Sequence, residues 1–159
     1  MFREMRRIKQ QLTQEECEKI LERGRTGVLA VLGDDGYPYT VPINYYYTDG
    51  KIYLHCAKSG HKLDAIRSNP KVSFCVVERD DILQEKFTTL FKSAVAFGKA
   101  EILADKEEMR SSVTALAEKY CSDFLDKVPA EVERGFDMLC MIKINIEHLT
   151  GKQGKGLIK

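Results

Sequence analysis

Residues 40–57 read Thr40-Val41-Pro42-Ile43-Asn44-Tyr45-Tyr46-Tyr47-Thr48-Asp49-Gly50-Lys51-Ile52-Tyr53-Leu54-His55-Cys56-Ala57. Asp-Gly suits a two-residue primed turn, because both residues tolerate positive φ. With Asp49-Gly50 as that turn, Thr48 faces Lys51, Tyr46 faces Tyr53, Asn44 faces His55 and Pro42 faces Ala57. Alternation then puts Ile43, Tyr45, Ile52, Leu54 and Cys56 on a core face. The opposite face carries Thr40, Pro42, Asn44, Tyr46, Tyr53 and His55. That mixture of aromatic, amide and imidazole groups fits a ligand wall or, equally, a solvated edge. Pro42 cannot donate to a ladder and marks an edge or bulge, which makes the backbone at Val41, Ile43 and Asn44 a candidate for bonding a ligand.

Working outward, residues 26–32, 37–47 and 51–57 form an expected three-stranded antiparallel meander, with Gly33-Asp34-Asp35-Gly36 as its first turn. Thr13 with Glu16 three residues on is a capping box, opening a helix whose apolar face is Cys17, Ile20 and Leu21 and which Gly24 ends. Before it, residues 1–11 alternate Arg3, Arg6, Arg7 and Lys9 with Phe2, Met5 and Ile8, as an arm packed on the body or a frayed basic terminus.

Downstream, the pattern predicts a helix over 59–68 with Ser59 as N-cap and Asn69-Pro70 as its stop. Strands follow over 71–78 and 91–103, with 79–89 irregular between them. A helix over 105–120 opens on Asp105 and Glu108; a Pro-containing connection, a strand over 138–146 and a Lys/Gly tail complete the chain. Six hairpin-connected strands with few helices predict a mainly β fold, a small closed or nearly closed antiparallel barrel with peripheral helices; an open α+β sandwich is the alternative. The expected organisation is a single domain over 1–159, with the arm and first helix at 1–24 and the tail at 151–159.

The 159 residues carry 25 Lys+Arg against 24 Asp+Glu, a net +1 that argues against general nucleic-acid binding but leaves specific anion binding open. No apolar run approaches the roughly 18 residues of a membrane span, and no signal-peptide core opens the chain, so a cytoplasmic location is expected and no membrane partner. Five cysteines without a CxxC indicate neither a disulfide framework nor a zinc site. His55 and Cys56 point to opposite faces of one strand, which removes them as a joint metal or nucleophile pair.

Ser59-Gly60-His61-Lys62 is the sharper signal. Helix starts favour acidic residues because the macrodipole is positive there, yet this one places His61 and Lys62 in its first turn. An anion at the site accounts for that choice: free backbone N–H groups, the Ser59 hydroxyl and the Lys62 charge are the parts of a phosphate site.

On these residues the chain resembles the pyridoxamine 5′-phosphate oxidase-like FMN-binding split barrels, and within them the 5-nitroimidazole-resistance branch. The matching pieces are Met5-Arg6-Arg7, the run from Gly36 through Tyr37-Pro38-Tyr39 to Asn44, Ile52-Tyr53-Leu54-His55-Cys56-Ala57, Gly60-His61-Lys62-Leu63-Asp64, Phe91-Lys92-Ser93-Ala94-Val95 with Gly98-Lys99-Ala100, and Thr150-Gly151-Lys152. They occur in family order across nearly the whole chain. The resemblance implies a six-stranded Greek-key split barrel and a homodimer with FMN at the subunit interface. It implies Val41, Pro42, Ile43 and Asn44 along the isoalloxazine edge, His55, Cys56 and Ala57 beside the flavin, and Ser59, His61 and Lys62 at the phosphate, with Phe91 and Ser93 completing the pocket. The activity it implies is FMN-dependent reduction of a small acceptor, nitroaromatics being one class, with His55 as the candidate catalytic residue. A non-catalytic flavin carrier or sensor is the alternative. Pyridoxamine 5′-phosphate oxidase activity is disfavoured, because that enzyme's basic C-terminal substrate segment has no counterpart in the short Lys/Gly tail.

Overall fold

Thr13 caps the first helix, α1 (Gln14–Arg23), as its spacing from Glu16 predicts: its hydroxyl accepts from Glu16 N–H at 3.2 Å and its own N–H donates to the Glu16 carboxylate at 2.9 Å. Cys17, Ile20 and Leu21 are buried, and Gly24 closes the helix by donating to the Ile20 carbonyl. The structure, a computed structural model, describes residues 1–158.

Among the described residues, seven strands form one antiparallel sheet: β1 (Gly27–Leu32), β2 (Pro38–Ile43), β3 (Tyr46–Thr48), β4 (Lys51–Ala57), β5 (Lys71–Leu83), β6 (Thr88–Ile102) and β7 (Leu139–Gln153). Their order is β2-β1-β5-β6-β7-β4-β3. The two edge strands, β2 and β3, are separated in the chain only by Asn44 and Tyr45, a span of about 10 Å at most. Edges that close can meet only if the sheet curls on itself, so it is a barrel with a split between β2 and β3. Leu29, Ile52, Leu54, Phe74, Ile142 and Ile144 fill its interior.

The barrel and its hairpin turn are as expected, but three strand readings change. Asp49 and Gly50 both have positive φ (45° and 72°), and the register Thr48↔Lys51 and Tyr46↔Tyr53 is observed. Beyond Tyr46 the pairing ends. Pro42 lies opposite Val28 and His55 opposite Met141, so residues 37–47 split into two strands at opposite edges, which raises the count from six to seven. The expected irregular segment 79–89 instead prolongs the β5–β6 hairpin beyond a bulge at Val77/Arg79, and β7 runs seven residues past Ile146.

Helix α3 (Lys106–Tyr120) has Asp105 as N-cap, accepting from Glu107 and Glu108 N–H. The Glu108 carboxylate does not return to the cap; it takes the Tyr53 hydroxyl (2.9 Å) and Lys143 Nζ (3.0 Å) on the outer face of the barrel. The Pro-containing connection holds a further helix, α4 (Val128–Gly135), with Pro129 in its first turn, where a missing N–H costs nothing. Helices α3 and α4 cover a second apolar cluster of Tyr53, Leu103, Val113, Val128, Val132, Phe136 and Met141 on the outside of β4 and β7.

The last turn of α3 clamps the Asn44-Tyr45 crossover. Tyr120 Oη accepts from Tyr45 N–H (3.0 Å) and donates to the Arg25 carbonyl (2.6 Å); Lys119 Nζ donates to the Tyr45 carbonyl (3.1 Å) and lies 4.0 Å from the centre of the Tyr45 ring. Burial holds the Lys119 amine down at about 8, against the ordinary 10.5. Between those values the unfolded chain binds more protons than the folded one, so stability rises with pH across that window. The urea midpoint of the wild type should therefore rise relative to Lys119→Met from about pH 8 to about pH 10; parallel curves would show that Lys119 is not desolvated.

Candidate functional site

The candidate site is assembled from an edge strand, the crossover and the outer face of β4. In β2 the hydrogen-bond parity follows from one contact: Gly33 N–H donates to the Tyr37 carbonyl at 2.8 Å, and these residues continue the β1–β2 register. Residues in step with Tyr37, namely Tyr39, Val41 and Ile43, therefore spend their backbone groups on β1. This corrects the expectation for Val41 and Ile43, whose side chains also turn inward. The groups that face away from β1 are the Thr40 N–H and the carbonyls of Pro38, Thr40 and Pro42. Both prolines occupy positions where an N–H would find no partner, as an edge strand requires.

Asn44 and His55 are not cross-strand partners, yet one cavity has both in its lining. Both line a cavity of about 360 Å³ whose other walls are Val113, Leu116, Ala117 and Tyr120 of α3, Glu131 and Val132 of α4, and Leu139 of β7. The Asn44 amide donates to the Arg25 carbonyl at 3.3 Å, which fixes the side chain and leaves its own carbonyl oxygen for a ligand. The cavity is mostly apolar with a few polar groups, Asn44, His55, Tyr120 and Glu131, the composition of a small-molecule site. Its α4 wall was unread in the sequence; Pro129 followed by Val132 and Phe136, in helical step with Val128, is the signal that marks it.

Cys56 faces the other way, into the barrel, directly opposite Cys140. Burial pushes its thiol up to about 11, Cys140 adds to the shift, and Lys62 opposes it. Ala57 is exposed at the end of β4, about 7 Å of strand beyond His55.

From there the chain turns through Lys58-Ser59-Gly60 into α2 (His61–Ser68). Ser59 is not the N-cap; Gly60 is, at φ 134° and ψ 164°, a conformation open essentially to glycine alone, and no side chain caps the helix. The Gly60 carbonyl accepts from Leu63 and Asp64 N–H (2.9 and 3.2 Å), so the N–H groups of His61 and Lys62 have no protein acceptor among the described residues. His61 lies back on the β1–β2 turn, stacked on Tyr39 at 4.2 Å with Nε2 3.8 Å from Asp34. Two free N–H groups, the exposed Ser59 hydroxyl and the half-buried Lys62 form an anion cradle, with His61 at its rim.

Phe91 and Ser93 lie elsewhere. Ser93 pairs with Lys152 of β7, whereas His55 pairs with Met141, so roughly 35 Å of strand separates the two positions. One chain does not bring them into one pocket.

A protein-family model described as pyridoxamine 5′-phosphate oxidase matches residues 13–153. A protein of Rhizobium meliloti is 39% identical over 67 residues, 42% of this chain; the chain spans 43% of that curated relative's length. Among solved structures, a conserved hypothetical protein from Mycobacterium tuberculosis superposes with a TM-score of 0.83 at 22% identity, over 97% of this chain and 92% of that one. A candidate 5-nitroimidazole antibiotic resistance protein from Bacteroides thetaiotaomicron gives 0.77 at 22% identity, over 90% and 86%. A FAD-binding protein from Mesorhizobium loti gives 0.66 at 29% identity, over 91% and 97%. The split barrel and the family match over residues 13–153 agree: the chain belongs to the pyridoxamine 5′-phosphate oxidase family.

Proposed function

We propose that the protein is a flavoprotein that holds FMN between two copies of the chain and passes electrons from it to a small acceptor. The observation that carries this reading is the uncapped start of α2, whose two free N–H groups and Lys62 match a phosphate, placed one turn of chain beyond the strand that carries His55. The likeness at 29% identity to a FAD-binding protein supports a flavin in general; the single small cradle favours the monophosphate of FMN. The family's description does not itself bring an oxidase activity to this chain.

In this reading the Thr40 N–H and the carbonyls of Thr40 and Pro42 hydrogen-bond the polar edge of the isoalloxazine, whose rim alternates donors and acceptors. Lys62, the His61 and Lys62 N–H groups and Ser59 bind the phosphate. When bound, FMN supplies electron or hydride transfer. The residues around the Asn44–His55 cavity then orient the acceptor: α3 and α4 exclude water with apolar walls, and the exposed His55 imidazole holds or delivers a proton at the acceptor's oxygen. A flat, apolar acceptor with a polar terminus, such as a nitroaromatic, fits these walls.

The second copy completes the site. Exposed Val28 and Leu32 on β1, Val77 on β5 and Phe97 on β6 give the barrel an apolar outer surface suited to a twofold contact. Such a contact is also the route by which Phe91 and Ser93 reach a flavin that they cannot reach within their own chain.

The test is the visible spectrum of the purified protein, followed by anaerobic reduction and mixing with a nitroaromatic. A yellow protein that reoxidises faster than free FMN is expected. A colourless protein that takes up no FMN sinks the reading; a yellow one that reoxidises no faster than free FMN is a carrier.

A further inference from the structure

The N-terminal arm builds a second cavity, far from the Asn44–His55 slot. Residues 8–10 form one turn of 3₁₀ helix, and main-chain bonds tie the arm to the end of β7: Leu12 N–H donates to the Gly151 carbonyl at 2.9 Å, and Gln11 bridges to Lys152. Between this turn and the C-terminal segment lies a cleft of about 620 Å³. Four cations border it: Arg6, Arg7 and Lys9 from the arm and Lys155 from the other side, with no carboxylate in its lining among the described residues. None of the four makes an ion pair among the described residues. A chain of net charge +1 has carboxylates enough to neutralise such a cluster, yet none does so among the described residues.

Gln10, only 3% exposed, also lines the cleft. Ile8 and Ile158 supply apolar surface on either side. We propose that this cleft is a ligand site for a nucleotide: phosphate held by Arg6, Arg7 and Lys155, and a flat base against Ile8 and Ile158. Arginine pairs suit phosphate because their planar forks bind two oxygens at once.

Titration calorimetry of the full chain with ADP, adenosine and inorganic phosphate tests it. ADP should bind, with adenosine and phosphate each about tenfold weaker or worse, since each keeps only part of the contacts. The double variant Arg6→Ala/Arg7→Ala and, separately, Lys155→Ala should each weaken ADP by about tenfold or more, while Lys62→Ala leaves it unchanged. No heat with ADP, or phosphate binding as tightly as ADP, overturns the proposal. So does a loss in Lys62→Ala equal to that in the arginine variant, which would place the anion at α2. These readouts need no flavin, so they stand or fall apart from the redox function.

Discussion

Replacing Phe74 with Ala should destabilise the fold by about 3–5 kcal/mol, the usual cost of deleting a fully buried phenyl ring. For a chain of this size that is a fall in Tm of roughly 6–20 °C. Phe74 has no exposed surface, meets the Tyr45 ring edge-on at 4.9 Å and 72°, and occupies the space that a Cβ on Gly27 would need, 2.1 Å from its Cζ. It therefore supports both β1 and the crossover from inside the barrel. The surroundings are strands held by ladders and cannot collapse into the void, so the upper half of that range is expected. A loss below about 1 kcal/mol in a urea titration would mean that the core around Phe74 is not packed as described.

Lys62→Ala should raise the dissociation constant for FMN about 10- to 150-fold, which is the loss of one charge-assisted contact of about 1.5–3 kcal/mol. Arg67 is the control. It lies on the same helix, but its guanidinium is already paired with Asp64 at 2.9 Å, so Arg67→Ala should change affinity by less than about threefold. Flavin fluorescence during equilibrium dialysis reads both. Unchanged affinity in Lys62→Ala would remove the α2 start as the phosphate site.

Much of this was legible in the sequence, and the misses have physical causes. The Thr13/Glu16 box and the Asp49-Gly50 turn are local devices whose partners lie within four residues, so spacing alone specifies them. The break at Asn44-Tyr45 was invisible because Ile43, Tyr45 and Tyr47 all turn inward on both sides of it. Alternation reports which face a residue takes; it is silent about which strand lies alongside. The extended β5–β6 hairpin was missed for the opposite reason. From Val77 to Ile82 its side chains are exposed on both faces, so it has no alternation to read. Asn44 and His55 were placed together by a register that does not exist. They share a site all the same, because α3 and α4 close a cavity over both, and contacts between elements so distant in sequence leave no local pattern.

The strand order also dictates when the site can exist during synthesis. Strand β4 touches the sheet only through β7 and β3, and β3 pairs with β4 alone, so the β3–β4 hairpin has no partner until residues 139–145 arrive. The first half of the chain thus waits on the last strand, a long-range closure of the kind that slows folding. His55, Asn44 and the lip of the α2 cradle remain unassembled until then. A ligand that binds there recognises the finished barrel and none of its precursors, so ligand supply in the cell would stabilise the completed fold against early and late intermediates alike.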